Sequence, residues 1–114
     1  MLESDIVGFA RECVKILEEK KSENVLLLDL RKVNSYLDYF VISTGNSLIH
    51  CRSLAKEVKK LFAKNGLKER NKSSLDSGWI ILDYSEIIVH IFIQEMRDYY
   101  SLERLWGDAE FLSH

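Results

Sequence analysis

Asp83 and His90 are the side chains whose types best suit proton transfer. They lie on the two arms of Gly78 to Ile93, which reads Gly-Trp-Ile-Ile-Leu-Asp-Tyr, Ser-Glu, Ile-Ile-Val-His-Ile-Phe-Ile. A carboxylate and an imidazole form an acid–base pair only when a reacting group lies beside them. No serine or cysteine shares their expected face, so no nucleophile is assigned. A second stretch with chemical potential is Thr44-Gly45-Asn46-Ser47, which joins a strand to a helix start. Backbone N–H groups at such a junction hold anions. Neither of the glycine-rich nucleotide motifs is present, so a turn with a helix cap is the simpler reading.

A similar turn opens a helix in nucleotidyltransferases. Those enzymes need closely spaced carboxylates to hold divalent metal ions on phosphates. Here Asp29 is followed two residues later by Arg31, and Asp83 by Ser85. No Asp-x-Asp or Asp-x-Glu falls on a strand. The histidines at 50, 90 and 114 form no ligand pattern, and Cys13 and Cys51 form no Cys-x-x-Cys. No catalytic residue, metal site or cofactor is expected.

The elements that position Asp83 and His90 are two apolar, β-branched runs around two polar residues, a hairpin pattern. Both arms are almost continuously apolar, so they are expected in the middle of a sheet covered on both faces. Ser85-Glu86 lacks the Gly or Asn that tight turns favour. With a two-residue turn, Trp79 faces Phe92, Ile81 faces His90 and Asp83 faces Ile88. Trp79, Ile81, Asp83, Ile88, His90 and Phe92 then share one side. On spacing alone this side is read as core, with Asp83 satisfying His90, because buried polar groups find partners. The alternative is a docking surface.

The chain of 114 residues is long enough for one domain, 1–114, with its own core. Hydrophobic residues make up 46% and charged residues 30%, the balance of a soluble globular protein. A formal net charge of -2 gives no global case for nucleic acid. No apolar run approaches the roughly 20 residues of a membrane span. The start, Met-Leu-Glu-Ser-Asp, resembles neither a signal nor a transit peptide. A cytoplasmic protein with reduced core thiols is expected.

In order, Asp5 to Lys21 reads as a helix with a stripe of Ile6, Phe9, Ala10, Cys13, Ile16 and Leu17, capped by Ser4 or Asp5. Asn24 to Leu30 and Tyr39 to Ser43 read as strands. Leu48 to Lys64 reads as a long helix burying Cys51, Leu54, Ala55, Val58, Leu61 and Phe62, with Asn46 or Ser47 as cap and Gly66 as stop. Its outer residues are largely basic. Without interleaved aromatics they are read as a solvated face rather than a nucleic-acid face. Leu67 to Asn71 is expected as a short edge strand, Glu95 to Trp106 as helical turns, and Gly107 to His114 as a loosely held tail. The order predicts an α/β fold around a mixed sheet of four or five strands packed with helices.

Several segments together resemble the ribosomal silencing factor family, also called Iojap-like proteins. They are Asp38 to Ser47 (Asp-Tyr-Phe-Val-Ile-Ser-Thr-Gly-Asn-Ser), Gly78 to Tyr84, Val89 to Phe92, and Arg97 to Trp106 (Arg-Asp-Tyr-Tyr-Ser-Leu-Glu-Arg-Leu-Trp). The resemblance covers nearly the whole chain in the family's order. It implies a nucleotidyltransferase-like shape without the catalysis. It implies binding to large-subunit ribosomal protein number fourteen at the face where the subunits meet, which blocks small-subunit joining when nutrients are scarce. Trp79, Asp83, Tyr84 and His90 match the family's hairpin positions and become the candidate docking residues, with Asp38 and Thr44 as additions. This raises the docking reading of the hairpin face above the core-only reading. Three positions depart from the family: Lys72-Ser73 where many members have Glu-Gly, Ser85-Glu86 where many have Gly-Asp, and Gln94 where many have Pro.

The leading expectation is therefore a translation repressor that needs binding energy and no reaction, reads no nucleic-acid sequence, and touches no membrane. A nucleotidyltransferase-like enzyme acting on nucleotides or phosphates is the alternative; a module binding some other protein is the third. Self-pairing of the free protein into a homodimer through the apolar hairpin face stays open.

Overall fold

The computed structural model describes residues 3–112, and the side chains from Asp5 onward. The elements are α1 (Glu3–Glu19), β1 (Glu23–Asp29), β2 (Tyr39–Gly45), α2 (Leu48–Lys64), β3 (Trp79–Asp83), β4 (Ile87–Ile93), α3 (Gln94–Tyr100), α4 (Leu102–Leu105) and β5 (Glu110–Leu112). They form a mixed α/β fold around one five-stranded sheet in the order β3-β4-β2-β1-β5. Only β2 and β4 pair in parallel; the other three pairings are antiparallel.

The two long helices follow their apolar spacing. In α2 the buried residues are Cys51, Leu54, Ala55, Val58 and Phe62. The Ser47 side chain accepts a hydrogen bond from the His50 amide at 3.0 Å, satisfying one of the open N–H groups of the first turn. At the other end Gly66 takes φ 81, which costs glycine nothing. In α1 the buried line is Ile6, Ala10, Cys13, Val14 and Leu17, with Phe9 and Ile16 half-buried beside it. The helix begins at Glu3, so Asp5 lies inside the first turn rather than capping it. Helix ends shift readily by a residue or two.

Both helices pack on the sheet side that carries Val25, Leu27, Tyr39, Val41, Ile80, Leu82, Ile87, Val89 and Ile91. The opposite side carries Leu28, Phe40, Ile42 and Phe92, covered by Leu102, Met96 and Trp106 from the C-terminal segments. Strand β2 is buried at every position, as expected for a strand with neighbours on both edges and cover on both faces.

Three expectations are corrected. The hairpin is not central: β4 is an inner strand, but β3 is the sheet edge, and Ile81 on it is 44% exposed. Leu67 to Asn71 forms no strand; only the Arg70 amide bonds to the edge, donating to the Asp83 carbonyl at 2.7 Å. The fifth strand instead comes from the tail. Glu110 to Leu112 pairs with Leu27 to Asp29, so the described part of Gly107 to His114 is held by the sheet. Residues 113–114 lie outside the described residues.

Candidate functional site

The hairpin register is the one spacing predicts. Trp79 faces Phe92, Ile81 faces His90 and Asp83 faces Ile88. Tyr84 donates its amide to the Ile87 carbonyl at 2.9 Å. The turn is closed by Ser85 at φ 73 and by the Asp83 carboxylate, which accepts the Ser85 amide at 2.9 Å. Asp83 therefore supplies the turn chemistry that Ser85-Glu86 lacks.

Trp79 organises the sheet face away from α1 and α2. Its ring stacks on Phe92 with centroids 4.9 Å apart and meets Tyr100 at 4.7 Å. Its indole N–H donates to His90 Nδ1 at 3.0 Å. Phe40 packs against His90 at 4.5 Å and edge-on to Trp106 at 6.2 Å. Tyr99 meets Tyr100 at 5.0 Å and is itself 81% exposed. A chain of rings thus runs from Tyr99 through Tyr100, Trp79, His90 and Phe40 to Trp106. Ile81 and Tyr100 are exposed at this face, and Trp79 is half-buried in it.

His90 is a neutral imidazole. Indole nitrogen only donates, so Nδ1 is the acceptor and the proton sits on Nε2. Burial pushes its pKa down to about 4. Nε2 is buried and makes no hydrogen bond. The expected Asp83–His90 pair does not form. Asp83 turns to the Ser85 amide and lies 3.9 Å from Arg70, while the half-buried indole takes the imidazole.

The other candidates separate. Tyr84 follows Asp83, so its side chain crosses to the helix layer, where it is buried edge-on to Phe62 at 4.7 Å. Burial, then nearby Glu69, pushes its phenol up to about 12. Thr44 is also buried; its hydroxyl accepts from Arg97 Nη1 at 2.7 Å. Asp38 is half-buried, and its carbonyl accepts the Leu30 amide at 2.8 Å. Of the six residues, Trp79 and Asp83 reach the surface together, with His90 beneath. Beside them lies a hollow of about 350 Å³ lined by Lys72, Ser73, Ser77, Trp79, Ile81 and Asp83.

Three contributors escape a reading of the hairpin alone. Tyr99 and Tyr100 extend the face from α3, and Arg97 holds that helix in place. Arg97 is buried and donates to the Asn24 carbonyl at 2.6 Å, to Thr44, and to Glu103 at 3.1 Å. The usable signal is the helical offset: three residues after Arg97, Tyr100 is carried to the Trp79 ring.

Comparison with known proteins bears on this arrangement. The family model described as ribosomal silencing factor during starvation matches residues 3–113. This chain belongs to the ribosomal silencing factor family. A ribosomal silencing factor of Bacillus subtilis is 36% identical over 93 residues, covering 81% of this chain and 79% of that protein. One from Halalkalibacterium halodurans is 33% identical, covering 84% of this chain and 83% of that protein. A crystal structure of a Chromobacterium violaceum protein superposes with a TM-score of 0.82 at 28% identity, covering 94% of this chain and 88% of that one. Among the described residues, no group of three or more His, Cys, Asp or Glu could hold a metal ion. Asp29 is engaged by Arg31, at 2.8 and 2.6 Å.

Proposed function

We propose that this silencing factor represses translation by binding large-subunit ribosomal protein number fourteen at the subunit interface and excluding the small subunit. The observation that carries the reading is the ring-lined, partly exposed sheet face around Trp79. Aromatic side chains are the usual energetic anchors of interfaces, and this face is otherwise expensive to leave in water. Trp79, Ile81, Tyr99 and Tyr100 supply contact area, and Asp83 a polar rim. Tyr84, Thr44 and His90 act from behind, by holding the strands and the indole. Exclusion requires occupancy and no bond making, which agrees with a face built of rings and aliphatic groups. The site of action is the cytoplasm, where subunits join.

The test is co-sedimentation with separated large subunits. Trp79→Ala weakens attachment by at least about 2 kcal/mol. Because Trp79 also packs on Phe92, Ile81→Asp serves as the companion variant: it alters an exposed side chain and leaves the melting curve within a few degrees. If both variants sediment like the wild type, the assignment of this face is wrong. Reversal of the order of addition checks exclusion: protein added before the small subunit lowers joining, and protein added to joined ribosomes does not.

A further inference from the structure

The basic residues of this acidic chain are segregated. From Arg52 to Lys72 there are eight lysines and arginines against two glutamates; the rest of the chain holds eight against sixteen acidic residues. Ion pairs engage part of that set, Arg52 with Asp76 and Lys59 with Glu69. Lys56, Lys60 and Lys64 are exposed and make no ion pair among the described residues. They recur every four residues on α2, about 6 Å apart along its axis, within roughly 40° of the line opposite its buried stripe. The stripe therefore looks away from the sheet and from the ring-lined face.

We infer that this line of lysines holds the phosphate backbone of double-helical RNA. Evenly spaced point charges suit a regularly charged polymer, and phosphate contacts position without reading sequence. The face has no aromatic ring on which unpaired bases could stack, which disfavours single strands. Its other exposed residues are Ser53 and Ala63, with Leu48 and Ile49 confined to the first turn of the helix, two apolar side chains and too few to hold it in a lipid surface. The choice of RNA over DNA rests on the ribosomal reading above. Because the two surfaces lie on opposite sides, one molecule can hold a protein on the rings and an RNA backbone on the lysines.

The experiment titrates the full chain with a 16-base-pair RNA duplex at low salt and follows backbone amide shifts. Shifts are expected along 53–64, with a dissociation constant that weakens steeply with salt to about 10⁻⁴ to 10⁻⁶ M at physiological ionic strength. The variant Lys56→Gln/Lys60→Gln/Lys64→Gln binds at least ten-fold more weakly and loses roughly two to three from the log–log salt slope. The control Lys15→Gln/Lys21→Gln/Lys32→Gln leaves both unchanged. Shifts centred elsewhere, equal loss in the control, tighter binding of a DNA duplex, or equally tight binding of polyglutamate would each overturn the inference. Sedimentation with large subunits, if retained while RNA shifts are absent, removes this proposal alone. The reverse pattern removes the ribosomal reading and leaves the lysine site standing.

Discussion

Trp79 and His90 show how one hydrogen bond fixes a tautomer while burial keeps the ring neutral. The imidazole is 5% exposed, accepts from the indole, and stays neutral in the fold. Its folded pKa lies near 4, below the ordinary 6.5, so the unfolded chain takes up a proton first as pH falls. Stability from this residue is full above pH 6.5 and is lost progressively down to pH 4, about 3 kcal/mol in all. Urea unfolding at several pH values checks this: His90→Gln flattens the acid limb, whereas the carboxylates keep their share of it. Ser85 presents the other constrained residue. A non-glycine residue at φ 73 is strained, so Ser85→Gly raises stability by up to about 1 kcal/mol, read as a shift in urea midpoint. Strand alternation was enough to place Asp83 and His90 on one face. It could not rank their partners, because the indole N–H reaches across the strands from a residue with no charge to draw attention.

Among the elements, α3 is tied down by a buried cation in addition to the packing of Met96 and Tyr100. Arg97 ties it to β1 and β2 through Asn24 and Thr44, and to α4 through Glu103. Arg97→Met leaves Glu103 without its cation and costs about 3 kcal/mol, with faster hydrogen exchange confined first to 94–105. Under the proposed docking role, attachment to large subunits weakens as well, since Tyr99 and Tyr100 lose their support. The short β5 makes a second test. A chain ending at Gly107 exposes the outer edge of β1, and amides at 27–29 exchange faster there than in the full chain. Helix α2 was legible to the residue because cap, periodic stripe and stop all coincide. Strand β5 was not: three residues carry no period, and Glu110-Phe111-Leu112 becomes a strand only because β1 has a free edge. The same tertiary control misled the reading of the hairpin. Its apolar runs look alike, yet the sheet places one arm inside and the other at the rim.

At the scale of the whole molecule, two layers give two unlike outer surfaces. The rings occupy the sheet side away from α1 and α2, and the unpaired lysines the outer side of α2. Contacts so far apart add independently, so combining Ile81→Asp with the lysine triple variant gives the sum of the separate losses within about 0.5 kcal/mol. The family, the mixed sheet and the hairpin register were all readable before any coordinates, since motifs and apolar spacing carry them. The division of charge was equally present in the residue order, but which lysines stand free depends on ion pairs made by distant loop residues. One pairing has a consequence for synthesis. Strand β2 lies flush against β4, with Tyr39 beside Ile87 and Gly45 beside Ile93. Those partners leave the ribosome last but for the closing segments, so a nascent chain carries β2 with one edge bare from its own completion until β4 has emerged. A sheet built this way closes only when the chain is nearly finished, and a product truncated before β4 lacks its central parallel pairing.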